Sequence, residues 1–163
     1  MNRYSGKSLA IRTLRGPDEA RKCALLMTDS EPWVTLRRTY DESLKILSDS
    51  SKEIYVAVKG GTLVGFIILN MQGAFVGYVQ TVCIAPEWRS KGIGSRLLKF
   101  AEDRILSEVP NVFMCVSSFN KDAQKLYQRL GYEMIGELKD YIVAGYSEIL
   151  LRKAIAPLTE FKQ

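Results

Sequence analysis

The stretch TVCIAPEWRSKGIGSRLL, residues 81–98, decides how this chain is organised. It starts in an apolar run typical of a strand that ends at Ile84, and it continues through a basic, glycine-containing turn into an amphipathic helix predicted over about Gly92–Glu108. Pro110 ends that helix. The first N–H groups of a helix have no intrahelical partner, so the turn is predicted to bind an anion.

The side chains of the turn indicate what kind of anion it would bind. Arg89, Lys91, Arg96 and Lys99 place positive charge in and just after it, which suits a pyrophosphate better than a single carboxylate. It is neither a Rossmann fingerprint, because Leu97 replaces the third glycine, nor a P-loop, because GxxxxGK[ST] is absent. The alternative is an ordinary strand-to-helix turn whose basic residues are solvated.

Before this stretch, the pattern predicts two helices framed by strands. In chain order they are a strand at Leu9–Thr13, a turn at Gly16–Asp18, a helix that Ser30–Pro32 ends, a polar helix at Thr39–Leu47, and strands at Glu53–Lys59, Thr62–Asn70 and Ala74–Ile84. Gly60 and Gly61 favour a tight hairpin between the second and third strands. The last three strands are therefore expected to be antiparallel.

After it, the pattern alternates between strands and one further helix. These elements are a strand at Val112–Val116, a helix at Lys121–Leu130 that Gly131 stops, and strands at Tyr132–Ile135 and Tyr141–Arg152. The strands on either side of the Gly92–Glu108 helix must be parallel, because a crossover helix joins them. The predicted fold is an α/β class with a mixed, mostly antiparallel sheet of about seven strands, four helices on its faces and one parallel pair; residues 1–153 form one domain and 154–163 a tail.

Composition excludes several classes of protein. The chain has 163 residues, a net charge of +5 and no histidine, so catalysis by a Ser-His or Cys-His pair is excluded. The three cysteines, Cys23, Cys83 and Cys115, are interpreted as buried free thiols, and no metal is expected. No signal peptide or membrane-spanning run is found, so a cytoplasmic protein without membrane partners is predicted.

Two motifs together resemble one family. Val82–Pro86 followed by Arg89–Ser95 matches a strand and the pattern [RQ]xxGx[GA] that opens a helix, and Asn120 to Tyr132 matches N-x-x-A-x-x-L-Y-x-x-x-G-[FY]. Over roughly Leu9–Arg152 the chain resembles the GNAT superfamily of acetyl-CoA-dependent N-acetyltransferases. The resemblance implies that acetyl-CoA is the acyl donor.

The resemblance also implies roles for individual residues. Backbone groups of Val82, Cys83 and Ile84 would bind the pantetheine arm and polarise the thioester carbonyl. Asn120 would contact the pantetheine or adenosine side, and Tyr127 would protonate the leaving thiolate; the alternatives are a helix N-cap and a core tyrosine. The pyrophosphate would lie on the turn, formed by Arg89, Ser90, Lys91, Gly92, Ile93, Gly94 and Ser95.

The match between this sequence and the family's residue pattern does not extend to the general base. Tyr78 and Cys115 occupy the two positions where many family members place a catalytic glutamate. Four carboxylates remain as candidates by residue type alone: Glu133, Glu137, Asp140 and Glu148. Cys115 is open to two interpretations, an acyl carrier or, with more weight, a buried structural thiol.

The acceptor is predicted from the segment Ser30–Tyr40, which in the family shapes the acceptor side. Pro32, Trp33 and Tyr40 would form an aromatic wall, with Arg37 and Arg38 attracting a carboxylate or phosphate; a plain surface loop is the alternative.

The predicted activity is transfer of acetyl to a primary amine of a small molecule or a peptide or protein N-terminus, by direct attack in a ternary complex. The alternatives are a non-catalytic acyl-CoA sensor and a basic nucleic-acid-binding domain. No nucleic-acid partner is expected under the leading hypothesis, because the basic residues cluster at one turn. A homodimer through Ala144–Leu151 stays open.

Overall fold

The computed structural model describes residues 8–162 and contains one seven-stranded sheet. The α-helices of the described residues number four, as the sequence predicts. The elements are β1 (Leu9–Thr13), α1 (Gly16–Thr28), α2 (Tyr40–Leu47), β2 (Glu53–Lys59), β3 (Thr62–Asn70), β4 (Tyr78–Ile84), a 3₁₀ turn (Pro86–Trp88), α3 (Ile93–Leu106), β5 (Asn111–Ser117), α4 (Lys121–Arg129), β6 (Glu133–Lys139) and β7 (Ser147–Ala154).

The strand order is β1-β2-β3-β4-β5-β7-β6. Every neighbouring pair is antiparallel except β4 and β5, which are parallel because α3 carries the chain back to the same end of the sheet. This confirms the predicted mixed sheet with a single parallel pair.

Helices cover both faces of the sheet. On one face, α3 buries Leu97, Leu98 and Ile105 in a cluster that includes Ile67 and Met114 of the sheet. On the other, α1 and α2 enclose a second cluster. Its buried members include Ala24, Met27, Leu47, Phe66 and Ile68. The neighbours Ile67 and Ile68 pack on opposite faces, as the alternation of a strand requires.

The parallel strands touch only where they begin. Their pairs are Tyr78 with Phe113 and Val79 with Met114. Gly77 makes this contact close: its φ is +87°, and a Cβ there would lie 2.5 Å from the carbonyl oxygen of Asn111. Beyond Val79 no pair joins the two strands, so they separate.

A β-bulge in β4 accompanies the separation. Ile68 of β3 pairs with Thr81 and Leu69 pairs with Val79, so Gln80 is an extra residue on β4. A bulge bends its strand and shifts which side chains face which side of the sheet. The result is an opening through the sheet between β4 and β5.

Four predicted boundaries are wrong. The strand predicted at Tyr132–Ile135 is β6, which continues to Lys139. The strand predicted at Ala74–Ile84 begins only at Tyr78. The strand predicted at Tyr141–Arg152 is a loop up to Tyr146, which the left-handed Asp140 starts by accepting a hydrogen bond from Gly145 N at 2.7 Å. The predicted turn at Gly16–Asp18 is the first turn of α1, because a proline fits at the start of a helix.

The proposed dimer segment does not lie at a sheet edge. Most of Ala144–Leu151 belongs to β7, which pairs on one side with β5 and on the other with β6. Its backbone groups are therefore used within the sheet, and the two edge strands are β1 and β6.

Candidate active site

A cleft of about 340 Å³ occupies the opening between β4 and β5. Residues from eight parts of the chain line it. They are Met27 of α1, Pro32, Trp33, Leu36 and Arg38 of the α1–α2 loop, Ile46 of α2, Tyr78–Val82 of β4, Met114–Ser117 of β5, Asn120 and Tyr127 at α4, Tyr141 and Ile142 of the β6–β7 loop, and Glu148 of β7.

The cleft has two sides because it passes through the sheet. Met114 and Val116 belong to the cluster under α3, so Cys115 and Ser117 between and beside them face the opposite way. Glu148 pairs directly with Ser117 and shares that face. We call the side of Val116, Asn120 and Tyr127 the α4 side, and the side of Trp33, Tyr78, Cys115, Ser117 and Glu148 the α2 side.

The predicted anion turn leads into α3 without a side-chain cap. Gly92 is the N-cap with φ of 78°, no side chain caps the helix, and a Cβ at Gly92 would meet nothing within 4 Å. By contrast, the side chains of Thr39 and Asn120 cap α2 and α4. Within the described residues the N–H groups of Ile93, Gly94 and Ser95 have no hydrogen-bond partner. The turn therefore presents free donors in open space.

The basic residues at the turn differ in their engagement. Arg89 Nε donates to the carbonyl of Ile84 at 3.1 Å, and Lys91 Nζ donates to the carbonyl of Glu87 at 2.8 Å. Lys99 is paired with Asp103 one helical turn further on. Arg89 and Lys91 thus stay beside the turn, while Lys99 is already neutralised. The turn residues do not line the cleft itself.

On β4 the predicted residues lie along the unpaired edge. Val82 lines the cleft, and the Cys83 side chain is buried in the cluster under α1. Because β5 does not pair with this part of β4, main-chain groups on that edge have no strand partner.

Tyr127 lies on the α4 side. Its ring is partly buried and stands edge-on to Tyr132, with the ring centroids 6.0 Å apart. Its hydroxyl has no hydrogen-bond partner among the described residues. Burial raises the pKa of Tyr127 to about 12, so the phenol keeps its proton across the physiological range.

Asn120 does serve as a helix N-cap. Its Oδ1 accepts a hydrogen bond from the backbone N–H of Ala123 at 3.3 Å. The residue also lines the cleft.

Of the four candidate carboxylates, Glu148 is the one in the cleft. Glu133 is exposed, Glu137 accepts a hydrogen bond from Ser147 on the surface, and Asp140 closes a loop. Glu148 is 6% exposed, and its Oε1 accepts a hydrogen bond from Ser117 Oγ at 2.6 Å. Burial raises the pKa of Glu148 and outweighs the hydrogen bond from Ser117, which lowers it.

Tyr78 and Cys115 lie beside each other next to Glu148. Burial, then contact with the Cys115 thiol, raises the pKa of Tyr78. Burial also raises the pKa of Cys115. All three cysteines are free, but only Cys23 and Cys83 are buried; the prediction of a buried Cys115 is wrong, because it is partly exposed in the cleft.

The α1–α2 loop contributes part of the wall predicted for it. Pro32, Trp33 and Arg38 line the cleft, whereas Arg37 and Tyr40 do not. Sequence reasoning missed eight apolar residues of the lining: Met27, Leu36, Ile46, Val79, Met114, Val116, Tyr141 and Ile142. The only signal available for Ile46 was its apolar side chain within the predicted second helix.

Searches of residues 8–162 for two further features were negative. No cluster of three or more His, Cys, Asp or Glu side chains able to hold a metal ion occurs there. No helix in that range is long and apolar enough to cross a membrane.

Known proteins are similar to this chain in sequence or in fold. A protein named GCN5-related N-acetyltransferase 6, chloroplastic, from Arabidopsis thaliana is 28% identical over 126 residues, which is 72% of this chain but only 43% of that protein. The N-alpha-acetyltransferase RimI of Mycobacterium tuberculosis is 28% identical over 144 residues, 83% of this chain and 86% of the relative. A crystal structure of an aminoglycoside 6'-N-acetyltransferase complexed with coenzyme A superposes with a TM-score of 0.73 at 18% identity, covering 91% of this chain and 98% of that one.

The family model described as Acetyltransferase (GNAT) family matches residues 20–132. That range includes the uncapped turn, the separated strands, and both Asn120 and Tyr127. The chain belongs to the GNAT family of acetyltransferases.

Proposed function

We propose that this protein transfers the acetyl group of acetyl-CoA to a primary amine, by direct attack of the amine in a ternary complex. The observation that carries the proposal is the cleft through the sheet. It gives one reacting centre two separate approaches, one from the α4 side and one from the α2 side. Two substrates entering from opposite sides need no covalent enzyme intermediate.

The α4 side of the cleft and the uncapped turn that leads into α3, which lies outside the cleft, together fit the acyl donor. Free N–H groups of Ile93, Gly94 and Ser95 suit the pyrophosphate of coenzyme A. The unpaired edge of β4 after Val79 suits the extended pantetheine arm, which carries amides able to hydrogen-bond as a strand does. Acetyl-CoA supplies a thioester, whose carbonyl carbon a neutral amine attacks.

Tyr127 supports departure of the thiol. The residue lines the cleft, and its hydroxyl has no competing hydrogen-bond partner among the described residues. With a pKa of about 12, the phenol is a weaker acid than a thiol of about 8.5. We therefore assign Tyr127 as the hydrogen-bond donor that stabilises the departing thiolate, more than as a full proton donor.

The α2 side favours an amine with an apolar neighbour. Its wall is formed by Trp33, Leu36, Ile46, Tyr141 and Ile142, and the one carboxylate in the cleft lining is Glu148. A polycationic acceptor would find a single counter-charge there, whereas an N-terminal amine next to an apolar side chain would be matched. The relative RimI, named an N-alpha-acetyltransferase, is consistent with a peptide α-amine as acceptor.

A non-catalytic acyl-CoA-binding role is the second candidate. It is favoured by Tyr78 and Cys115, which stand where many family members have a catalytic glutamate, and whose raised pKa values keep both side chains protonated.

Calorimetric titration with acetyl-CoA and with coenzyme A tests the donor site. Micromolar binding of both is expected. An amine-dependent thiol-release assay with a panel of small amines and peptide amides then tests transfer. Binding without thiol release for any amine would favour the non-catalytic role. No binding of either compound would overturn both roles, and steeply salt-dependent binding to duplex or single strands would then support a nucleic-acid-binding domain.

A further inference from the structure

We propose that Glu148 is the general base of this enzyme and accepts the proton of the acceptor's ammonium group. The inference rests on the proposed acetyl transfer and adds its missing catalytic residue. Glu148 comes from β7, which is neither of the two strands that flank the opening.

The carboxylate of Glu148 is held by one oxygen and open at the other. Oε1 accepts the hydrogen bond from Ser117 Oγ at 2.6 Å, and Oε2 has no hydrogen-bond partner in residues 8–162. Within that range no fully buried side-chain oxygen or nitrogen lacks a partner. Because the residue lines the cleft, Oε2 must reach the open space of the cleft. A fixed carboxylate with one free oxygen is the arrangement that a proton acceptor needs.

Among residues 8–162, the groups that face Glu148 leave it as the only base in the lining of the cleft. Tyr78 from β4 and Cys115 from β5 both keep their protons, because burial raises their pKa values. Tyr141 from the β6–β7 loop and Arg38 from the α1–α2 loop also line the cleft. Glu148 is the single carboxylate of that lining, and the chain has no histidine.

Glu148 also lies on the correct side. It shares the α2 side with Trp33 and Ser117, opposite the side on which Tyr127 meets the departing thiolate. An ammonium entering from the α2 side therefore meets the carboxylate before it meets the thioester.

The protons balance in this scheme. The ammonium gives one proton to Glu148 Oε2, and the nitrogen lone pair forms the C–N bond to the acetyl carbon as the C–S bond breaks. The nitrogen loses its second proton to the departing thiolate, which becomes the thiol. Glu148 returns its proton to solvent, so one ammonium and one thioester give one amide, one thiol and one released proton.

Glu148→Gln tests the assignment, with Glu137→Gln as matched control. Both glutamates accept a hydrogen bond from a serine hydroxyl, at 2.6 and 2.7 Å, but Glu137 is exposed outside the cleft. The probe is a short peptide amide with an apolar first residue, assayed by thiol release. We expect Glu148→Gln to lower kcat at least tenfold at pH 6.5, with the gap narrowing above about pH 8, where an α-amine is neutral without help.

The control and the donor affinity separate the outcomes. Glu137→Gln should keep the rate, and Glu148→Gln should bind acetyl-CoA as the unmodified chain does. An unchanged rate, or a loss of equal size at every pH, overturns the role of Glu148 while acetyl transfer stands. If the unmodified chain fails to bind acetyl-CoA, the proposed function itself has failed.

A second measurement does not depend on knowing the acceptor. Cys115 is partly exposed beside Glu148, whereas Cys23 and Cys83 are buried. A carboxylate beside Cys115 attracts a cationic reagent. The rate of reaction with cationic 2-aminoethyl methanethiosulfonate, divided by the rate with neutral methyl methanethiosulfonate, should therefore be higher for Cys115 than for a thiol without a charged neighbour. We expect Glu148→Gln to reduce that ratio by roughly tenfold. Cys115→Ser identifies the reacting thiol, and an unchanged ratio overturns the proposal.

Discussion

The two sides of the cleft are built in different ways. The α4 side, taken together with the uncapped turn that leads into α3 outside the cleft, consists mainly of backbone groups and of residues from two continuous stretches, 81–98 and 120–132. The α2 side consists of side chains from β4, β5, β7, α1, α2 and two loops. A site made of local backbone geometry can be predicted from a motif, whereas a site assembled by register and packing becomes visible only when the fold is known.

The largest effect should come from removing the one side chain on which the α4 side depends. We expect Tyr127→Phe to lower kcat by roughly 10²- to 10⁴-fold, because the departing thiolate loses its hydrogen-bond donor. The affinity for acetyl-CoA, measured by calorimetry, should stay within a factor of two or so, since the ring remains in place.

Tyr132→Phe is the control for that substitution. The Tyr132 hydroxyl donates to Glu102 Oε1 at 2.9 Å and does not line the cleft. Its loss should cost about 1–2 kcal/mol of unfolding free energy and leave kcat unchanged. A normal kcat in Tyr127→Phe would show that the α4 side works through backbone groups alone.

The next largest effect tests the backbone groups of the uncapped turn that leads into α3. We expect Gly92→Asp to weaken acetyl-CoA binding by roughly 10- to 100-fold, because a carboxylate would sit where free N–H groups await a pyrophosphate. Gly92 has φ of 78°, so the substitution also strains the backbone.

Gly73→Asp separates strain from charge. Gly73 has φ of +87° and open space around its Cβ position, but it lies between β3 and β4, away from the turn. It should lose stability to a similar extent and bind acetyl-CoA normally. An equal loss of affinity for acetyl-CoA in both variants would mean that the turn at Gly92 does not bind the pyrophosphate.

The sequence predicted where Gly92, Asn120 and Tyr127 lie in the fold, because each of their signals is local, while their roles stay predictions. Gly92, Asn120 and Tyr127 stand at fixed distances from the ends of α3 and α4, and the helix pattern predicts those ends. Two strand boundaries were wrong next to loops that contain left-handed residues, such as Gly77 and Asp140, because nothing in an apolar run marks where pairing stops.

The α2 side could not be predicted in the same way. Glu148 was one of four carboxylates of equal standing in the sequence. What distinguishes it is its pairing with Ser117 across β5 and β7, a contact over 31 residues. Leu36 and Ile142 line the cleft only because the fold brings the α1–α2 loop and the β6–β7 loop to the same side of it. The residue type limits which side chains could serve on the α2 side, and the strand register decides which of them lie in the cleft.

A smaller effect tests the wall of the α2 side. Tyr141 is 65% exposed, so Tyr141→Ala should leave the fold and the acetyl-CoA affinity unchanged. We expect KM for an apolar peptide amide to rise by roughly three- to tenfold, because part of the apolar contact with the acceptor is lost. Steady-state kinetics with both substrates varied gives the answer. A change in the KM of acetyl-CoA instead would contradict the division of the cleft into two sides.

The smallest effect concerns stability, and it asks what a buried base costs the fold. Burial raises the folded-state pKa of Glu148 above its unfolded value near 4.5, so the folded chain binds the proton more tightly than the unfolded chain does. The stabilisation that the folded chain gains from binding this proton more tightly is fully present below pH 4.5, and it is lost as the pH rises through the folded-state pKa of Glu148. Glutamine does not titrate, so the Glu148→Gln variant does not lose stability in this way as the pH rises. The unfolding free energy of Glu148→Gln, relative to the unmodified chain, should therefore be more favourable at pH 7.5 than at pH 4.5.

Urea unfolding at those two pH values measures the difference, with Glu137→Gln as the exposed counterpart that should show no such trend. The α2 side would then differ from the α4 side in kind: its function requires a carboxylate that the fold holds at a cost near neutral pH, whereas the uncapped turn of α3 requires only the absence of a side chain. A relative stability of Glu148→Gln that falls with pH would mean that the ionised carboxylate is well solvated, and a solvated carboxylate in the cleft would be a weaker base for the acceptor amine.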